Sequence, residues 1–363
     1  MSLVPPPSPV DEGHPLPELS ERQELILSLL VREHIRDAQP VGSKRLVEQF
    51  NLGVSSATVR NEMAVLEEYG LIYAPHTSAG RVPTPQGYRY FVRRLLTGGD
   101  LSAYERRKIA QTFRQAPADP EEWMRLAAMI LSRTSQTAAL VTAPRAIENH
   151  FKHVELISTQ GRMVLMVLVL QGGSVHQQVL TLAEPVTQPV LSQTAAVINR
   201  VCSGQTAEQM RARARTLPDE LSRDVCEVVA DAMAQADQQG THDVYRYGLS
   251  ESLATFNDDA AQQVVRVMEE QSLLDGILRE TLSGDRSDVR VVVAGEGRWE
   301  DLSHLSMVLG RYGTPRARGA LGVLGPTRMR YGRAISTVRY VANLMTGMLD
   351  DIYGEPDPTP DQE

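Results

Sequence analysis

The sequence predicts a multidomain α+β fold, and three observations carry that expectation. The chain has 363 residues, more than a single core of about 250–300 residues accommodates. Helix-period segments with start and stop signals fill most of residues 20–133. Beyond them, strand-period segments fall into two clusters, one of which makes a complete sheet only if the other interrupts it.

The elements follow in order. Residues 1–18 are rich in Pro and predict a disordered leader. Ser20-Glu21-Arg22-Gln23 fits a capping box, opening a helix whose apolar face is Leu25, Ile26, Leu29, Leu30 and Ile35. It ends near Asp37 because the residue before Pro40 avoids helical geometry. Ser43 is placed as the cap of a short second helix, Lys44 to Phe50. After a turn around Gly53, a third helix starts at Ser56 and runs to Tyr69, with Gly70 as its stop. Leu71-Ile72-Tyr73 and Arg81-Val82-Pro83 then pair as a short hairpin, and Tyr88, Arg89, Tyr90, Arg93 and Arg94 extend a basic, aromatic helix.

Two helices occupy residues 102–133, broken at Ala116-Pro117-Ala118-Asp119-Pro120, and Thr137–Val141 is a strand ended by Pro144. Lys152–Ser158, Arg162–Leu170 and Ser174–Leu182 predict a three-stranded antiparallel meander, with turns at Gly161 and Gly172-Gly173. Helices follow at 188–203, 205–216 and 218–237. A strand at Asp243–Ser250, one long helix at 258–282, strands near 289–294, 304–311 and 319–324, and a helix from Met329 to Ile352 complete the chain. Thr137–Val141 has no neighbour nearby, while the later strands lack a first member. Residues 101–145 joined to 242–353 therefore form one α+β sheet domain, and 146–241 become a module inserted into it. Residues 19–96 precede both, and 354–363 are expected to be a flexible tail.

Charge is uneven. The net charge is −8, yet residues 20–94 carry ten Lys or Arg against eight Asp or Glu. A slightly basic module on an acidic body suits a protein whose one end approaches nucleic acid. The cysteines, Cys202 and Cys226, are expected to be buried free thiols, and His150-Phe151-Lys152-His153 to be a surface segment. No secretory signal or membrane-length apolar run is visible, which predicts a cytoplasmic protein. No P-loop, zinc-protease pair or nucleophile elbow occurs. Gly295-Glu296-Gly297 lacks the third glycine of a dinucleotide site. The expectation is therefore no enzyme, no metal and no cofactor. Gly325-Pro326-Thr327-Arg328 either holds an anion or, the favoured reading, starts the last helix while Arg328 makes an internal ion pair.

The first helices carry the chemistry. Val59, Met63 and Leu66 share one face of the third helix, leaving Ala57, Asn61 and Ala64 opposite, flanked by Thr58 and Arg60. Small residues let a helix lie deep in a major groove, where Arg and Asn read guanine and adenine edges. Ser55 and Ser56 stand where backbone N–H groups and hydroxyls hold a phosphate. Ser43, Lys44 and Arg45 supply a second helix start, and His76, Thr77, Ser78 and Arg81 a hairpin tip. Such a helix can also serve protein contacts alone, but helix spacing, exposed face, hairpin and local charge together predict a winged helix-turn-helix binding double-stranded DNA.

Three segments carry a resemblance. Pro40-Val41-Gly42-Ser43, Leu52-Gly53-Val54-Ser55-Ser56-Ala57-Thr58-Val59-Arg60-Asn61-Glu62-Met63 and Pro75-His76-Thr77-Ser78-Ala79-Gly80-Arg81-Val82-Pro83-Thr84 resemble the HrcA family of bacterial heat-shock repressors. Gly322-Val323-Leu324-Gly325-Pro326-Thr327-Arg328-Met329-Arg330-Tyr331 is a second match far away in the chain. The resemblance implies a winged-helix domain, a GAF-like domain and a dimerisation domain inserted into it. It further implies a homodimeric repressor of chaperone operons that binds an inverted repeat, with a GroEL-type chaperonin as partner. A metabolite-sensing winged-helix regulator, with a ligand in the GAF-like domain, is the alternative.

Overall fold

The computed structural model describes residues 16–76, 79–96, 101–146, 149–171, 174–238, 243–253, 256, 258–282, 289–295, 297–314 and 317–353. It is a mixed α+β protein with two compact units, the first within Met1–Ala143, His242–Gly313 and Gly319–Glu363 and the second within Pro144–Thr241 and Thr314–Arg318.

The first unit opens with α1 (Glu21–Asp37), α2 (Ser43–Phe50) and α3 (Ser56–Glu68). The capping box of α1 is present: Gln23 N donates to Ser20 Oγ, and Ser20 N to Gln23 Oε1. Helix α2 departs from expectation. Gly42 is its cap, and Ser43 is a buried first-turn residue. Helix α3 ends at Glu68 with Tyr69 as its C-cap, one residue short of expectation, and Gly70 takes the positive φ that reverses the chain. Strands β1 (Ile72–Tyr73) and β2 (Val82–Pro83) pair antiparallel, Ile72 opposite Pro83. Helix α4 (Pro85–Tyr90) continues into a π-helical turn over Phe91–Leu95.

Next come α5 (Ala103–Gln115), α6 (Pro120–Ser135) and β3 (Ala138–Thr142), whose five residues are all buried. The short β4 (Arg145–Ala146) then begins the second unit, pairing with residues 317 and 318. That unit contains β5 (Phe151–Gln160), β6 (Met163–Leu170) and β7 (Val175–Thr181) as an antiparallel sheet in sequence order. Helices α7 (Gln188–Cys202), α8 (Ala207–Ala214) and α9 (Glu220–Gln238) follow. Alternation along β6 sends Val164, Met166, Leu168 and Leu170 into a core shared with Leu191, Ile198, Met210 and Val229. Phe151 joins that core fully buried, so only its neighbours Lys152 and His153 match the expected surface position. The edge strand β5 is sealed by two amides of α7. Asn199 bonds Val154 N and O at 2.8 and 3.0 Å, and Gln188 bonds Ser158 N and Leu156 O at 2.8 and 2.9 Å. Cys202 and Cys226 are free, buried thiols with their sulfurs 3.8 Å apart.

The chain re-enters the first unit at β8 (Val244–Tyr247), which pairs with β3 although some hundred residues separate them in sequence. After α10 (Leu249–Leu253), the expected long helix is two: α11 (Asp258–Glu269) and α12 (Gln271–Leu282). Glu269-Glu270-Gln271-Ser272 are all exposed, so one whole turn offers the core no apolar side chain. Strands β9 (Arg290–Val292), β10 (Leu305–Gly313) and β11 (Ala317–Pro326) complete the sheet in the order β8-β3-β11-β10-β9. Pro326 closes β11, and the last helix, α13 (Tyr331–Tyr353), starts later than expected. Arg328 makes no ion pair among the described residues.

This sheet is covered on both faces. Ala139, Val141, Val308, Leu321 and Val323 pack with α6 and α13, and the same cluster runs on into α1, α3 and α4. Ala138, Leu140, Met307, Leu309 and Leu324 face α11 and α12. Among the described residues no helix is long and apolar enough to cross a membrane.

Candidate nucleic-acid interface

Helix α3 is amphipathic in the way its sequence dictates. Val59, Met63 and Leu66 are buried against α1 and α2, and Ser56, Ala57, Arg60, Asn61 and Ala64 are exposed. Ser55 caps the helix: Thr58 N donates to its Oγ at 3.1 Å, and the two hydroxyls lie 2.9 Å apart. The cap occupies part of the Ser55 and Thr58 hydrogen-bonding capacity, while Ser56 stays open to solvent. Arg60 and Asn61 make no hydrogen bond or ion pair among the described residues. Two unengaged polar side chains, interleaved with two alanines, therefore project from one convex helix face.

Helix α2 presents a mixed picture. Lys44 is highly exposed and lies 3.7 Å from Glu48, one turn on. Ser43 is buried. Arg45 is turned back onto α1, where it bonds the Asp37 carboxylate and reaches Glu33 at 2.9 Å. Glu33 is itself 97% buried and also takes Arg36 at 2.6 Å and Gln49 at 3.2 Å. Hydrogen bonds from Arg36 and then Arg45 hold the Asp37 carboxyl at about 2. This cluster fixes the angle between α1 and α2. The sequence carries one signal of it, since Glu33 sits in the stripe of Ile26 and Leu30 where an apolar residue belongs.

At the hairpin, His76 is half-buried, and its carbonyl accepts from Ala79 N at 3.0 Å. Thr77 and Ser78 lie outside the described residues. The Arg81 guanidinium does not point free. It lies on Glu67 of α3, with Nε and Nη2 both 2.9 Å from Oε2. Glu67 is the partner that sequence reasoning misses, because no helical or strand period relates it to the hairpin. A further tie, Glu62 to Arg22 at 3.4 Å and to Gln23 at 3.0 Å, joins α3 to the start of α1.

Behind the interface, Tyr88 of α4 is buried. Its hydroxyl is 2.7 Å from His34 Nδ1, and its ring lies 6.2 Å from that of Tyr331. The Tyr331 hydroxyl donates to Thr327 O at 2.6 Å and lies 2.8 Å from Ser306 Oγ, while Arg89 Nε reaches Val293 O at 3.3 Å. The helical module is thus joined to the sheet of its own unit by a buried polar and aromatic seam.

Comparison with known proteins places this arrangement in a family. Residues 121–335 match the family described as HrcA protein C terminal domain. The heat-inducible transcription repressor HrcA of Roseiflexus castenholzii is 41% identical over 347 residues, covering 93% of this chain and 96% of that protein. Repressors of the same name from Herpetosiphon aurantiacus and Thermomicrobium roseum are 42% and 36% identical over similar lengths, covering 93% and 94% of this chain. A crystal structure of a hypothetical protein shares the fold with a TM-score of 0.57 at 23% identity, over 92% of this chain and 99% of that one. With a family match over more than half its length and full-length relatives above one third identity, the chain belongs to the HrcA family of heat-inducible transcription repressors.

Proposed function

We propose that residues 19–96 are a winged helix-turn-helix reading double-stranded DNA through α3, and that the protein represses heat-shock chaperone operons from an inverted-repeat operator. The observation that carries this is the exposed face of α3, where Arg60 and Asn61 stand unengaged between Ala57 and Ala64. Arg and Asn make the bidentate contacts that separate guanine and adenine from other bases, and alanines allow close approach to the groove. Ser56 and Lys44 supply phosphate contacts beside it.

The same reading makes residues 101–145 with 242–353 a GAF-like domain and residues 146–241 a dimerisation domain. Support for pairing comes from the outer face of the three-stranded sheet. Ile157, Leu165 and Val179 stand in register across β5, β6 and β7, and Val169 opposes Val175. Val175 and Val179 are 55% and 60% exposed. A contiguous apolar face of this kind marks an association surface, and a two-fold dimer matches the symmetry of an inverted repeat. The family reading adds a GroEL-type chaperonin as partner. Stress that occupies the chaperonin then lowers the active repressor by mass action.

Mapping where the purified protein binds in its own genome tests the whole reading. Enrichment of inverted repeats upstream of chaperone genes is the expected result, and dispersed occupancy overturns it. Adding purified chaperonin raises operator occupancy if the partnership holds, and an unchanged occupancy removes that part alone.

A further inference from the structure

One carboxylate closes the neck of the hairpin. Glu67, in the last turns of α3, accepts from Ala74 N at 3.2 Å through Oε1, and takes Arg81 at 2.9 Å through Oε2. Ala74 is the first residue after β1 and Arg81 the last before β2, so the two points define the mouth of the loop at 75–80. The backbone of Arg81 is held from the other side. Val41 N donates to Arg81 O at 2.8 Å and Arg81 N to Val41 O at 2.9 Å, just before α2. Gly80 permits that approach, since a Cβ there would stand 2.5 Å from the Val41 carbonyl carbon.

We propose that Glu67 is the positioning residue of the wing, and that Arg81 acts through this ion pair and not as a direct ligand of DNA. This rests on the DNA-reading function proposed above. The side chain of Arg81 is tied to α3 and its main chain to the entry of α2, so the hairpin takes its direction from the helices that read the groove. The pair is about one-third exposed at each end, and such pairs contribute little to global stability. Its loss therefore shows in binding that depends on geometry, because a displacement of about 1 Å is enough to spoil a preorganised contact.

The test is a double-mutant cycle on the full chain, with Glu67→Ala, Arg81→Ala and the double variant. Two probes are used: a duplex enriched by the wild-type protein from a random-sequence pool, and an unselected duplex of equal length. If Glu67 positions the wing, each single variant weakens binding to the selected duplex by about tenfold, and the double variant weakens it no further. Glu67→Ala leaves binding to the unselected duplex unchanged or tighter, since it removes a negative charge, and melting temperatures stay close to wild type. Glu67→Gln, whose single amide oxygen can serve only one of the two donors, Ala74 N or Arg81, restores part of the selectivity and substitutes for Glu67→Ala should that variant not fold. The proposal is overturned if Glu67→Ala binds the selected duplex as well as wild type or better while Arg81→Ala binds it worse. Additive losses overturn it equally. Failure of the wild-type protein to enrich any duplex removes the DNA-reading function itself, a different outcome from either.

Discussion

His34 Nδ1 and the Tyr88 hydroxyl stand 2.7 Å apart, joining α1 to α4 in a site where the imidazole is largely removed from water. Burial, and then the positive charge of Arg328, lower the His34 pKa from 6.5 to about 4. The folded protein therefore binds fewer protons here than the unfolded chain between those two values. His34 consequently contributes stability that is complete above about 6.5 and declines as pH falls toward about 4. Thermal melting followed from pH 7.5 to 4.5 should show a falling midpoint, and His34→Gln should flatten that slope. An unchanged slope in the variant would place the acid sensitivity elsewhere.

Tyr331 is the other half of the seam, buried against Tyr88 with its hydroxyl bonded to Ser306 and Thr327. Tyr331→Phe keeps the ring and loses the bonds, at a cost of about 1–2 kcal/mol. Tyr331→Ala also empties the space and costs about 3–5 kcal/mol. Urea unfolding measures both. Equal losses in the two variants would mean that the ring contributes little.

Arg60→Ala and Asn61→Ala should each reduce preference for the operator over random DNA by about 1–3 kcal/mol while leaving the melting temperature near wild type, because both side chains are exposed and unengaged. Competition binding against unselected duplex gives the ratio. If the preference survives both substitutions, α3 presents another face to the groove.

Val175→Lys combined with Val179→Lys places two charges on the outer face of β7, where both side chains are more than half exposed. The fold of the second unit should tolerate them, since its core lies on the opposite face. Light scattering should then report monomers, and operator affinity should fall because half-sites no longer bind together. A dimer that persists with undiminished affinity would move the interface off this sheet.

Local interactions were legible in the residues alone. The capping box at Ser20, the buried stripe of Val59, Met63 and Leu66, the strict alternation of β6 and the stop at Gly70 all arise between residues a few positions apart. Their physics is complete within one or two turns. The lack of a sequence-local neighbour for β3 could also be seen, and the strands that pair with it, β8 and β11, both come from beyond residue 243. Where polarity defeated helix period, as at Glu269–Ser272, the reading of one continuous helix failed.

The face of α3 that carries Arg60 and Asn61 was therefore determined by the sequence, since burial of Val59, Met63 and Leu66 leaves no other orientation. What the charged residues around it do was decided only in three dimensions. Ser43, Arg45 and Arg81 look equally available when read in line. Packing buries the first, and turns the second onto Glu33 and Asp37 and the third onto Glu67. The partners lie eight to fourteen residues apart in sequence. No helical or strand period relates them, and only the approach of α1, α2, α3 and the hairpin brings those charges within bonding distance.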